Sequence, residues 1–126
     1  MEGFKKILKQ KMHNFVEKIF LETKNFPKEE IYVTTSQLKR AALSIILNYT
    51  EGYARFTEKN QLNFMRTSFG SAKETEYLLY LSKRLNFLPE NKYKELNSQL
   101  DEINAMLWSE IDSLSNSIDS QKKAPS

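Results

Sequence analysis

Apolar side chains recur along this chain at spacings of three and four residues, the repeat of one face of an α-helix. From Glu2 to Asn25, Phe4, Leu8, Met12, Phe15 and Ile19 form such a face, widened by Val16 and Phe20. Pro27 closes the segment, because the residue before a proline is driven out of the α region. The connection from Pro27 to Thr35 carries some apolar content, and Ile31 and Tyr32 are expected to pack down on neighbouring helices. A second helix is predicted from Thr34, Thr35 or Ser36, all competent N-caps, to Tyr53. The third follows Thr57, an N-cap with Glu58 set against the positive end of the helix dipole, and runs to Leu85. The fourth opens at Pro89, a residue favoured in the first helical position. There Tyr93, Leu96, Leu100, Ile103, Leu107, Ile111, Leu114 and Ile118 make a nearly heptad seam.

Long helices joined by short links predict an all-α fold, an antiparallel up-and-down four-helix bundle. Residues 1–114 form its single domain; residues 115–126, rich in Ser, Asp, Gln and Lys, read as a partly disordered tail. A length of 126 residues suits one core and not two. Only 3 Gly and 3 Pro serve the whole chain, too few for the turns of a sandwich or barrel. With no Cys there is no disulfide, thiolate metal site or thiol nucleophile.

Charge adds an asymmetry. The net charge is +3, but residues 1–66 hold 12 basic and 7 acidic side chains and residues 67–126 hold 7 and 9. A basic half attracts polyanions, although a normally solvated surface also accounts for it. Candidate phosphate contacts are Lys5, Lys6, Lys9, Lys11, Lys39, Arg40 and Arg55. The apolar residues near the N-terminus are interrupted by lysines, unlike a signal peptide, and the patch from Ala41 to Leu47 is too short to span a bilayer. A cytoplasmic protein with no membrane partner is the expectation.

The second helix carries an unusual polar stripe. Gln37, Arg40, Ser44, Asn48, Glu51 and Arg55 share one face, while most of the remaining circumference is apolar. Gly70, Ser71, Glu74 and Thr75 form a compact counterpart on the third helix. A mid-helix glycine costs about 1 kcal/mol against alanine, and close approach of another backbone is the usual compensation. Gly70 and Ser71 are thus expected to face Ser44 and Asn48, with Glu51 or Glu74 accepting from Arg40 or Arg55. Ser44, Asn48 and Ser71 are expected to be mostly buried. The stripe reads as a register-fixing polar network or as part of a ligand or nucleic-acid site.

At these residues the chain resembles a bacterial family of four-helix bundle proteins first noticed as reading frames within 23S ribosomal RNA intervening sequences. The accessory variability determinant of diversity-generating retroelements is a related member. The resemblance rests on Ser36-Gln37, Arg40-Ala41-Ala42, Ser44-Ile45, Asn48, Glu51-Gly52-Tyr53 and Arg55, then Phe64, Gly70-Ser71, Glu74 and Leu85. It spans roughly residues 10 to 115. The chain departs from the family pattern at Ile46-Leu47 and Tyr49-Thr50, where smaller residues or Pro, and Ile-Ala, are common. The resemblance implies an antiparallel bundle that assembles into a ring-like homopentamer. It also implies nucleic-acid binding by a basic surface and no enzymatic activity.

The residues themselves offer no catalytic constellation. His13 is the single histidine, so the paired Glu-x-x-His motifs of a di-iron bundle are excluded, and its spacing to Glu17 suits an ordinary surface pair. No phosphate-binding glycine motif is present. Trp108, beside Leu107 and Ile111, reads as core or subunit interface. The expectation is a non-enzymatic, cofactor-free, oligomeric module contacting RNA or DNA. The alternative is a structural scaffold that recruits another protein.

Overall fold

The computed structural model describes residues 2–123, and all its regular structure is helical. The four main helices are α1 (Glu2–Thr23), α2 (Ser36–Tyr53), α3 (Glu58–Arg84) and α4 (Glu90–Lys123). Each lays its apolar stripe on a common axis. Leu8, Met12, Phe15 and Ile19 of α1 meet Leu38, Ala42, Ile45 and Tyr49 of α2 in one buried core. Leu62, Met65, Ala72 and Leu79 of α3 complete it with the α4 seam from Leu96 to Ile111. A Leu or Ile buried this fully contributes about 2 kcal/mol, so the stripes outweigh any local propensity in holding the helices together.

Side-chain pairings fix the directions of neighbouring helices. Lys5 lies over the Tyr53 ring and Lys39 over the Phe20 ring, so α1 and α2 run oppositely. Ser68 donates to the Ile45 carbonyl at 2.7 Å and Ser44 shares a hydrogen bond with Ser71, which orients α2 against α3. Phe69 packs on Trp108 while Lys83 lies over the Tyr93 ring, which orients α3 against α4. The circle closes through ion pairs across the α1–α4 seam: Lys11 with Glu102, Lys18 with Glu95 at 2.5 Å and Glu22 with Lys92 at 3.6 Å. The bundle is up-and-down, with each helix antiparallel to both neighbours.

The ends of the helices show where local chemistry acted. Thr57 caps α3 as expected, its hydroxyl accepting from the Asn60 N–H at 3.2 Å. At the other end of α3, Asn86 takes φ 63°, a left-handed conformation that Asn tolerates. The Phe87 N–H then bonds the Ser82 carbonyl and the Asn86 N–H the Lys83 carbonyl, a Schellman closure. Gly52 is buried where α2 meets α3: a Cβ there would stand 2.9 Å from Met65 Cε and 3.1 Å from Phe64 Cβ.

Two expectations are corrected. No side chain caps α2 at Thr34 to Ser36. The chain instead enters that helix through a 3₁₀ turn at Lys28–Glu30 and a π-helical turn at Ile31–Thr35, and Tyr32 stands 91% exposed rather than packed down. The wider π turn rotates Ile31, Tyr32 and Val33 outward while burying Thr34 and Thr35. Secondly, α4 continues to Lys123 through the stretch read as a tail. Leu114 and Ile118 pack on the core, and Ser117 and Gln121 donate to the Glu58 carboxylate. Residues 124–126 of that stretch lie outside the described residues.

Candidate nucleic-acid interface

Helix geometry sorts the basic residues of α1 by direction, because about 100° of rotation separates successive side chains. Lys11 and Lys18 fall on the α4 side, where Glu102 and Glu95 neutralise them. Lys5 falls on the α2 side with its ammonium 4.2 Å from the centre of the Tyr53 ring. Lys6 and Lys9 point away from the core and are exposed. On α2, Lys39 sits 4.9 Å over the Phe20 ring and Arg40 is exposed on the outer surface. Among the described residues, Lys6, Lys9, Lys39 and Arg40 enter no ion pair. The single carboxylate of α2, Glu51, is held by Arg55, whose guanidinium also lies 4.6 Å over the Phe64 ring. Of the basic residues in the first half of the chain, Lys6, Lys9, Lys39 and Arg40 thus stay without an ion pair on α1 and α2, while Lys59 and Arg66 lie exposed on α3.

The polar stripe divides into a part that meets α3 and a part that does not. Ser44 Oγ and Ser71 Oγ are 2.8 Å apart, and Asn48 Nδ2 donates to Ser44 Oγ at 2.8 Å and to the Ser44 carbonyl at 2.9 Å. These three side chains are hydrogen-bonded but half-buried rather than mostly buried, because they line the rim of the α2–α3 contact. Ser68, one turn before Ser71 and absent from the stripe read in the sequence, takes the fully buried position instead. Gln37, Arg40 and Glu74 are exposed and outside the network, and neither arginine pairs with Glu74. Gly70 meets no close backbone: a Cβ built there would find nothing within 4 Å. Its position one residue before Ser71 turns it about 100° away from α2 and onto the outer surface.

A polar cluster not legible in the sequence lies at the opposite side of α2. Tyr49 and Tyr53 both donate to the Glu110 carboxylate, Tyr49 to Oε1 at 2.6 Å and Tyr53 to Oε2. The rings meet edge to face at 5.0 Å. Burial, and then the hydrogen bond to Glu110, push both phenols above the usual tyrosine range. The residues are more than fifty positions apart in the chain, so only the i, i+4 spacing of the two tyrosines was available beforehand. His13 pairs with Glu17 on the exposed side of α1. Among the described residues, no His, Asp and Glu side chains gather to hold a metal ion, and no helix is long and apolar enough to cross a membrane.

Comparison with known proteins places this geometry among relatives. The family profile described as 23S rRNA-intervening sequence protein matches residues 5–109. No curated protein sequence matches the chain. Among solved structures, the chain is similar to a protein of unknown function from the S23 ribosomal protein family of Bacteroides thetaiotaomicron VPI-5482. The two share 26% identity and a TM-score of 0.80, over 86% of this chain and 98% of the other.

Proposed function

The chain belongs to the 23S rRNA-intervening sequence protein family, and from that premise we propose that it is a non-enzymatic, self-associating helical module that holds nucleic-acid phosphates on its α1–α2 face. The observation that carries this reading is the placement of Lys6, Lys9, Lys39 and Arg40 on adjacent helices with no carboxylate partner among the described residues. Such side chains neutralise phosphates and release counterions, but they carry no base code. In the homopentamer that the family resemblance implies, each basic face recurs five times. Several weak contacts per subunit then combine by avidity.

Fluorescence polarisation with labelled RNA and DNA at low and physiological salt tests the reading. Binding should fall steeply with salt, and a Lys6→Glu/Lys9→Glu/Lys39→Glu variant should lose it. Lys94→Glu, an exposed reversal on α4, should bind as the parent does within the effect of net charge. Absence of binding at low salt, or equal binding by the triple variant, would leave the protein-interaction scaffold ahead. The half-exposed Trp108, seated on Phe69 at 5.4 Å, favours that second reading, since exposed tryptophans are common anchors in protein interfaces.

A further inference from the structure

At the corner where α1 turns into α2, the structure opens a cleft of about 550 Å³. Its walls bring together Lys24, Lys28, Lys39, Tyr32, Thr35 and Ser36, and no carboxylate lines it. Buried Phe26 contributes an apolar wall. None of the three lysines forms an ion pair among the described residues. Glu30, the nearest acid in sequence to Lys28 besides Glu29, has its carboxylate engaged by the Thr34 hydroxyl at 2.6 Å.

Two features of the cleft have no explanation within the chain. Thr35 is 94% buried and lines the cleft, yet its hydroxyl has no hydrogen-bond partner among the described residues. A buried hydroxyl without a partner is costly, and natural folds rarely leave one. Tyr32 stands almost wholly in solvent, flanked by exposed Ile31 and Val33. The π turn that buries the hydroxyl is the same turn that presents this ring.

We propose that the cleft is a nucleoside-phosphate subsite, in which Lys24, Lys28 and Lys39 hold the phosphate and Tyr32 stacks on an unpaired base. The proposal rests on the nucleic-acid reading and deepens it, because Lys39 belongs both to the α1–α2 face and to the cleft. Each part follows from ordinary chemistry. Three ammonium groups with no ion-pair partner among the described residues, that of Lys39 resting on the Phe20 ring, favour a phosphate, which accepts from all of them. An exposed aromatic ring beside such charges offers a stacking platform that tolerates any base. The volume falls within the roughly 300–1,000 Å³ usual for small-ligand clefts. A blunt duplex keeps its bases stacked and cannot present one to Tyr32, so the preference is for single strands, strand ends or free nucleotides.

The test uses the full chain, with a labelled oligouridylate, a blunt RNA duplex, and uridine monophosphate as competitor. Tyr32→Ala should weaken oligouridylate binding about tenfold, the scale of one lost base stack, and leave duplex binding unchanged. Tyr32→Phe should restore it. Lys28→Ala should reduce the salt slope for the oligouridylate by about one contact. Competition by the monophosphate would identify a free nucleotide as a sufficient ligand; strand binding without competition would identify a strand. Either supports the subsite if Tyr32→Ala discriminates. Duplex and single strand bound alike, with Tyr32→Ala silent, would overturn the subsite and leave the basic face standing. No binding of any strand would overturn both.

Discussion

The phenol of Tyr49, 1% exposed in the core of α2, donates to the carboxylate of Glu110 on α4 at 2.6 Å. This contact ties two helices that are diagonal in the bundle and places a charged acceptor against a buried ring. Because burial and the Glu110 hydrogen bond raise the phenol's pKa above its unfolded value near 10, its contribution is complete below that value. As pH rises past about 10, the unfolded tyrosine ionises while the folded one does not, and stability falls. The slope is about 1.4 kcal/mol per pH unit for each such group. Urea unfolding at several alkaline pH values should show it, and Tyr49→Phe should make the curve shallower.

The acceptor itself gives a second expectation. Glu110→Leu removes the acceptor that two phenols share, leaving them only each other among the described residues. Such a loss costs roughly 1–3 kcal/mol for each buried group, so the urea midpoint should drop at neutral pH. An unchanged midpoint would mean that water reaches both hydroxyls.

Glycine behaves oppositely at two positions. Gly52→Ala inserts a methyl 2.9 Å from Met65 and 3.1 Å from Phe64 and should destabilise by about 1–3 kcal/mol. Gly70→Ala meets open space and should stabilise the isolated bundle by about 1 kcal/mol through helix propensity. Denaturant melts of both variants provide the comparison. Gly70→Ala failing to stabilise would show that a neighbouring subunit occupies that space.

Asn48→Leu removes the donor to Ser44 and should cost about 1 kcal/mol, less than a fully buried network would, because the Ser44–Ser71 pair lies at a half-exposed rim. A silent variant would show that the two serines hold the helix register without it.

Self-association is the fifth expectation. Ile7, Leu47, Tyr77 and Trp108 are each more than half exposed, on different sides of the bundle. Scattered apolar side chains alone require no partner, so the expectation rests on the half-exposed Trp108, a residue type common at interface anchors, and on the family resemblance. Light scattering at tens of micromolar should give the mass of a homo-oligomer, a pentamer on the family resemblance. A mass of 14.8 kDa would reject it.

The stripes at Phe4 to Ile19 and Tyr93 to Ile118 made the fold readable, because a period of 3.6 residues is written locally. So was the Thr57 cap, whose partner is three residues away. What depended on a distant partner was not. Lys11 and Lys6 look alike in the sequence, yet one meets Glu102 and the other meets solvent. Gly70 and Ser71 were read together, although one residue of helix turns them to different surroundings. The cleft around Thr35 required a π turn, and no pattern of residue types in the segment Ile31–Thr35 announces that geometry.

The ion pairs along the α1–α4 seam have a consequence beyond their strength, which for exposed pairs is about 0–1 kcal/mol each. Read along α1, Lys11, Lys18 and Glu22 carry plus, plus, minus; read backward along α4, Glu102, Glu95 and Lys92 carry the complement. A reversed α4 would set Lys92 against Lys11 and Glu102 against Glu22. A slip that brought Glu22 opposite Glu95 would also set like against like. The seam thus works as an address: it distinguishes the last helix arriving in the native direction from the same helix arriving inverted or shifted, a choice that its nearly symmetric apolar seam leaves open.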